Sequence, residues 1–406
     1  MEPNKLDTDR QIPLEQHARP MLVGRGLLRS SLKSSKKDGQ FLIAMEKINS
    51  RGSRVSSDLQ ADICKQKVKI SINPSAAVPR IYTKLGAEKG KNVGVGIFKD
   101  AGETDPKTVP TITRTKRALE LTFKKALGMT RPTDFLAGKS PYSKAFSEVM
   151  AFEFAEYFGF NADPQNPLVP LTILSKEPGK ETGAVGTFQQ FVQEHTLAKE
   201  GTALLTKNDL ATFNPDNLSK EEKLVFLRFI IFDYLIGNLD RHDKNWMMKI
   251  VMNEGKPTLV AIAAIDNGNS FPVRHPTDSA TLKENNSRVR MRQYEWRDHI
   301  LAKITIDDEL RDAIKLIAKD ISEDKLQTFL KAEKDKFSSC DDQQIKNHVE
   351  VFFGGQMQDH LTLRLKALHA WADSPHPTIG SLAKLQSSEE INDFLKSYAP
   401  KVSLAA

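Results

Sequence analysis

Apolar positions along the chain follow two rhythms, one of period two and one near 3.6. Val68 to Ile72 and Asn92 to Phe98 predict strands, the second alternating Val93, Val95 and Ile97 with Gly94 and Gly96. Between Ser143 and Phe158 the residues Phe146, Val149, Met150, Phe154 and Tyr157 recur at helical spacing, and Pro141 suits the entrance of that helix. Thr187 to Val192 predicts another short strand. Ser219 and Glu222 form a capping box in front of Leu224, Leu227, Ile231 and Leu235, and Gly237-Asn238 supplies the stop. Two apolar runs, Trp246 to Val251 and Thr258 to Ile265, flank the turn-like stretch Asn253 to Pro257 and predict a hairpin. Beyond it, helical spacing covers Leu310 to Ile321, Leu326 to Phe337, Gln344 to Ala370 and Glu389 to Tyr398.

Composition changes this picture in three ways. A chain of 406 residues with 39% apolar positions has enough material for two to three units with real cores and is no disordered polymer. Residues 1 to 60 are rich in Ser, Lys and Arg and predict a flexible basic tail, with a short helix near Phe41 to Ile48. Cys64 and Cys340 are the two thiols of the chain, which excludes a disulfide framework and a cysteine zinc site and suits a reducing compartment. The oiliest stretch, Leu224 to Ile236, contains Arg228 and Asp233 and falls short of the roughly 20 apolar residues that a membrane span needs. It predicts a buried helix. Met1 to Arg19 has no apolar core and predicts no secretory signal. The formal charge of +7 favours anionic partners. Aromatic platforms, zinc spacings and recognition-helix patterns are not visible, so nucleic acid is not the expected partner.

Candidate chemistry concentrates between the capped helix and the hairpin, in Gly237-Asn-Leu-Asp240-Arg241-His242-Asp243-Lys244-Asn245. Asp240 and Asn245 have the spacing of the protein-kinase catalytic loop, in which the Asp receives the acceptor's hydroxyl proton and the Asn binds magnesium. Asn245 precedes the first hairpin strand and Asp266 follows the second. Pairing the strands therefore brings these two oxygen donors to one end, a sparse hard site of the kind Mg2+ takes. Asp266-Asn267-Gly268 stands where kinases have Asp-Phe-Gly, and Gly268 is expected to turn the chain after the metal ligand. Lys99, near the end of the second strand, is the candidate cation for nucleotide phosphates. Glu148 is preferred over Glu153 as its partner. Arg241 and His242 read as loop scaffold, with Arg241 paired to a carboxylate, and His275 and Trp296 read as packing residues.

The sequence resembles the phosphatidylinositol 3- and 4-kinase superfamily, and the type II phosphatidylinositol 4-kinases most closely. The resemblance rests on Gly96-Ile-Phe-Lys99, Ser147-Glu148, Gly186-Thr-Phe-Gln-Gln-Phe-Val192, Phe232 to Trp246, Ala264 to Pro272, and His275-Pro276, in that order. It implies an α+β, bilobal, protein-kinase-like fold, with a small β-rich N-lobe over 61–194 and a larger helical C-lobe over 195–398. Tails over 1–60 and 399–406 flank the two lobes. It further implies ATP with Mg2+, or Mn2+ in its place. Lys99 would lie on the phosphates, Gln190, Phe191 and Val192 on adenine, Asp240 would be catalytic, and Asn245 and Asp266 would be metal ligands.

Two features depart from that family. The phosphate loop expected before Lys99 reads Pro74 to Tyr82 without glycine, leaving Ser75 as its nucleotide-contacting candidate. The family's palmitoylated cysteine cluster is replaced by Thr113 to Gly128, a basic segment with Leu119, Phe123 and Leu127 at helical spacing. That segment suits an anionic membrane surface or an inositol phosphate. The expected activity is transfer of the ATP γ-phosphate to an inositol lipid hydroxyl. A protein Ser/Thr kinase requiring an anionic activator and a lipid-binding pseudokinase are the alternatives. The expected location is cytoplasmic and peripheral to membranes, or that of a secreted bacterial effector.

Overall fold

The computed structural model describes residues 69–72, 80–85, 92–101, 141–163, 165–176, 185–190, 192, 195–197, 215–273, 294–339 and 343–398. The basic tail, the Phe41–Ile48 helix, the 113–128 segment, Ser75, Phe191 and His275 lie outside these residues. Among the described residues the architecture is α+β, with a five-stranded antiparallel sheet followed by a mainly helical half.

Strands β1 (Lys69–Ile72), β2 (Arg80–Leu85), β3 (Asn92–Asp100), β4 (Thr172–Lys176) and β5 (Val185–Gln190) pair in the order β1-β2-β3-β5-β4. Sequence reading places the expected phosphate loop over Pro74 to Tyr82. In the structure Arg80 to Tyr82 belong instead to β2, which is paired on both sides by β1 and β3. Ile81, Tyr82 and Thr83 are β-branched or aromatic, the composition a doubly paired strand favours. In β4, a run of only five residues between loops, Thr172 and Ile173 are buried, and the strand is too short to stand out by periodicity. In β3, Phe98 is buried and pairs with Phe188, so the neighbouring Lys99 points to the opposite face.

Helix α1 (Pro141–Tyr157) starts at the proline, whose fixed φ and missing N–H suit a first helical turn. It packs on β4 and β5 on one side. Its other side meets α4 (Glu323–Ser338) and α5 (Gln343–Phe352) of the helical half. Phe146 of α1 is fully buried, with ring centroids 5.0 Å from Phe337 and 5.3 Å from Phe352, and Phe154 lies 5.6 Å from Phe329. Such edge-on aromatic contacts add to the burial of apolar area. Glu153 of α1 is ion-paired with Lys336. The helix next to the sheet is thus part of the core of the other half.

Helix α2 (Lys220–Ile236) begins with the capping box, Ser219 Oγ accepting from the Glu222 N–H and Glu222 Oε2 from the Ser219 N–H. Phe229 through Ile236 are all buried, as a helix apolar on every side requires. Gly237 ends it at φ +60, donating its N–H to the Asp233 and Tyr234 carbonyls.

Strands β7 (Trp246–Asn253) and β8 (Lys256–Ala264) form the hairpin, and the short β6 (Thr196–Leu197) pairs with β7. The turn is tighter than the five residues expected. It consists of Glu254 and Gly255 at φ 50 and 78, positive at both positions, as the twist of a two-residue hairpin demands.

Helices α3 (Asp308–Asp320), α6 (Gly355–Asp373), α7 (Ile379–Lys384) and α8 (Ser388–Tyr398) complete the helical half. The single helix expected over Gln344 to Ala370 is two, α5 and α6, broken at Phe353-Gly354. Apolar spacing continues through the break because both helices bury Phe352, Phe353 and Met357 in one core. Gly354 takes an extended backbone there. Trp296 is fully buried.

Replacing Gly237 tests this framework. Its Cβ would stand 3.2 Å from the Arg364 guanidinium carbon and 3.2 Å from Pro272 Cδ, at a φ that L side chains rarely adopt. Gly237→Ala is expected to destabilise the protein by roughly 2 kcal/mol in denaturant melts, the order of the left-handed penalty for a residue with a Cβ. A loss below about 0.5 kcal/mol would show that the helix end relaxes around the methyl.

Candidate functional site

Three segments converge beneath the sheet: the end of β3, the middle of α1, and the two ends of the β7–β8 hairpin. Lys99 Nζ donates to Glu148 Oε1 at 2.6 Å and to Asp266 Oδ1 at 3.0 Å. Glu148 is almost wholly buried, and its second oxygen accepts the Asn267 N–H at 3.1 Å. Asp266 is half-exposed.

Glu148, the preferred partner, is therefore the one that meets Lys99, and Glu153 instead pairs with Lys336. The charge of Lys99 holds the Asp266 carboxyl far below the usual carboxylate range. Burial opposes this and Lys144 adds to it. For Lys99 itself burial would lower the pKa, but the charges of Asp266 and Glu148 outweigh it and raise the ammonium above its ordinary value. Burial pushes the Glu148 carboxyl up against the pull of Lys99. The site therefore holds a persistent cation beside a carboxylate that stays ionised.

Asp240 and Asn245 lie on the turn between α2 and β7. Asp240 donates its N–H to Asn238 Oδ1 at 2.9 Å, and its Oδ2 accepts from Asn269 Nδ2 at 3.4 Å. Asn245 donates Nδ2 to the Asp240 carbonyl at 2.8 Å, which directs its amide oxygen elsewhere. The Asn245 carbonyl accepts the Ile265 N–H at 3.0 Å, so the two ends of the hairpin are tied one residue before Asp266. Asn238 Nδ2 reaches the Asp266 carbonyl at 3.3 Å. Asparagine side chains thus connect Asp240, Asn245 and Asp266.

The turn after β8 differs from expectation. Asp266 itself is left-handed, at φ 54. Gly268 has an ordinary negative-side backbone, and a Cβ there would find the Glu148 and Lys144 side chains at van der Waals distance, 3.5 Å. The sharp turn is made by the carboxylate-bearing residue. Aspartate tolerates this conformation better than most side chains, because its short polar group can bond locally.

Gln190 ends β5 opposite Gly96 and donates its N–H to the Leu171 carbonyl at 2.8 Å. Val192 beyond it is half-buried. Arg241 is fully buried, and its Nε donates to Asp233 Oδ1 at 2.8 Å, the carboxylate pairing expected for it. Trp296 Nε1 donates to the other Asp233 oxygen at 2.9 Å.

Several residues that shape the site carry no bonding role in the sequence reading. Asn238, Asn267 and Asn269 supply side-chain bonds, and Ser147 donates its hydroxyl to the Ser270 carbonyl at 2.8 Å, joining α1 to the same turn. The available signal was the crowding of asparagines around Asp240 and Asp266, a residue type that bonds local backbone.

With that geometry in view, residues 226–322 match the family model for phosphatidylinositol 3- and 4-kinase. The matched span contains Asp240, Asn245 and Asp266. Phosphatidylinositol 4-kinase type 2-beta of Rattus norvegicus is 31% identical over 144 residues, covering 32% of this chain and 27% of that protein. Phosphatidylinositol 4-kinase type 2-alpha of Xenopus laevis is 32% identical over 164 residues, 36% of this chain and 32% of the relative. The type 2-alpha enzyme of Danio rerio is 31% identical over 188 residues, 42% and 38% of the two chains. The aligned stretch spans about a third of the length of these relatives. A solved structure, a Helicobacter pylori proinflammatory kinase CtkA, aligns with a TM-score of 0.37 and 16% identity, over 75% of this chain and 97% of that one. Among the described residues the fold is α+β, and over part of its length the chain resembles the type 2 phosphatidylinositol 4-kinases in sequence. Among the described residues no helix is long and apolar enough to cross a membrane.

The Lys99–Asp266 pair makes a pH prediction. A carboxyl whose folded pKa is depressed adds stability above its unfolded value, about 3.9, and that contribution is lost as pH falls through the folded value. The Tm advantage of wild type over Asp266→Asn should therefore be full near neutral pH and shrink steadily below about pH 4. A difference that stays constant down to the acid limit of folding would show that the Lys99 contact contributes no ionic stabilisation.

Proposed function

We propose that the chain is an ATP-dependent phosphotransferase that uses Mg2+ and takes the hydroxyl of an inositol lipid as acceptor. The observation that carries this reading is the Lys99 ammonium bonded to both Glu148 and Asp266, with Asp240 and Asn245 linked to the same turn. The similarity to phosphatidylinositol 4-kinases over part of the chain supports the lipid acceptor. In this reading Glu148 fixes Lys99, and Lys99 neutralises phosphate oxygens of the nucleotide. By the family resemblance Gln190, Phe191 and Val192 are assigned to adenine and Ser75 to the phosphates.

The oxygens of Asn245 and Asp266 are hard donors and few in number, a set that fits Mg2+ completed by phosphate oxygens and water. Bound there, the ion would neutralise charge on the transferring phosphates. Asp240, oriented by Asn238 and Asn269, accepts the proton of the attacking hydroxyl. The acceptor oxygen forms its bond to the γ-phosphorus as the bond to the bridging oxygen breaks, and ADP leaves. Little covalent work falls to the protein, so positioning carries most of the rate.

Labelled ATP tests the reading. Wild type, Asp240→Asn and Asp266→Ala are incubated with phosphatidylinositol vesicles, a protein mixture, or either of these with an inositol polyphosphate added. Wild type is expected to label lipid, Asp240→Asn to fall by at least about a hundredfold, and Asp266→Ala to reach background, given the size of general-base and metal-ligand contributions. Label on protein alone would transfer the reading to a protein kinase. Equal background for wild type and both variants would make the fold a binding module.

A further inference from the structure

A loop arginine that only balanced one carboxylate would need Asp233 and nothing more. The fully buried Arg241 makes four contacts, and three of them fall on the two segments that carry Asn245 and Asp266. Nη1 donates to the Asn245 carbonyl and, at 2.6 Å, to the Ile265 carbonyl. Nη2 donates to Asn267 Oδ1. Asn245 precedes β7 and Asp266 follows β8, so the two meet at the open end of the hairpin, where one rigid planar group holds the Asn245 carbonyl and the residues on either side of Asp266.

The backbone it holds is strained. Asp266 adopts φ 54, and the polar groups on both sides of it are taken up by side chains. The Ala264 carbonyl accepts from Asn267 Nδ2 at 3.1 Å, Ile265 from Arg241, and Asp266 from Asn238, while the Asn267 N–H is held by Glu148. Arg241 contributes to this twice, directly at Ile265 and through the Asn267 side chain. A lysine ammonium carries one centre of charge and cannot span these acceptors in a fixed plane.

We propose that Arg241 is a positioning residue for the metal site, which sets the separation and orientation of the Asn245 and Asp266 oxygens before a divalent cation arrives. The inference rests on the kinase reading above and adds to it the residue that presets the cation site. It assigns Arg241 no contact with substrate.

The test is Mn2+ binding to the full chain in the presence of a non-hydrolysable ATP analogue, read from the free Mn2+ paramagnetic signal, with melting curves for every variant. Arg241→Lys retains a charge for Asp233 but loses the fork. Asn267→Ser removes the acceptor of Nη2 and the donor to Ala264 without touching Asp233. Trp296→Phe removes the indole donor to Asp233 and serves as a control for general loss of packing. Arg241→Lys and Asn267→Ser are expected to weaken Mn2+ binding about tenfold or more, the range seen when groups behind metal ligands are removed, while Trp296→Phe stays within about twofold of wild type.

Folded variants that bind Mn2+ like wild type, with only their Tm lowered, would overturn the inference. Should Arg241→Lys fail to fold, Asn267→Ser decides by the same criterion. A wild-type chain that takes up no Mn2+ with the nucleotide analogue would overturn both the inference and the kinase reading, an outcome distinct from the first.

Discussion

The Lys99 ammonium is the point at which sheet, helix and hairpin meet. Its two carboxylate partners come from chain segments 49 and 167 residues away, so the contact exists only when the five-stranded sheet, α1 and the β7–β8 end are all in place. Neither carboxylate would be comfortable alone. Glu148 is buried enough that its charge requires a cation, and the Asp266 carboxylate has two lysines near it. The triad therefore constrains the relative placement of three elements more tightly than apolar packing does, because ionic hydrogen bonds are directional and burial of area is not.

What keeps Glu148 in reach of Lys99 lies far along the chain. Helix α1 buries Phe146 against Phe337 and Phe352 and Phe154 against Phe329, and these partners belong to α4 and α5, beyond residue 322, where the family match ends. Ser147 fixes the same turn of α1 to the Ser270 carbonyl. A helix held on one side by the sheet and on the other by a core of aromatic rings has little freedom to swing. Movement of Lys99 relative to Glu148 then requires the sheet to shift over the helix, since the closely packed rings of α1, α4 and α5 resist displacement.

Much of this was legible in the sequence where a local rule acts through a single residue. Ser219 with Glu222, Gly237, Pro141 and the hairpin runs each fix backbone geometry by their own chemistry, and α1, α2, β7 and β8 follow. The placement of Asn245 and Asp266 at one hairpin end is likewise a consequence of antiparallel pairing. Features that depend on several distant partners were not legible. Strands β2 and β4 are specified by the neighbours that pair with them, and periodicity over five or six residues carries little of that. The break at Gly354 was hidden because Phe352, Phe353 and Met357 keep one apolar stripe through it. Gly268 drew attention as a turn residue, while the turn is made by Asp266, held by bonds from Asn238, Asn267, Arg241 and Glu148 that no spacing announces.

The buried charge beneath the site follows the same logic. Asp233 sits in the buried second half of α2, where its neighbours from Phe229 to Ile236 are otherwise apolar or aromatic and an isolated carboxylate would be driven to protonate. Burial does push its pKa up, and Arg241, Trp296 and the nearby Arg364 pull it back. Arg364 in turn is buried and donates to the Tyr234 carbonyl and the Tyr294 hydroxyl, anchoring the C-terminal end of α2 to the turn that carries Trp296. Replacing this polar cluster by apolar residues of equal volume could preserve stability, since buried ion pairs often contribute little net energy over well-packed hydrocarbon. Hydrocarbon could not donate to the Asn245 and Ile265 carbonyls together, as Arg241 does. The cluster is best understood as a means of directing backbone, in which the cost of burying charge is offset by the fixed geometry it imposes on the end of the hairpin.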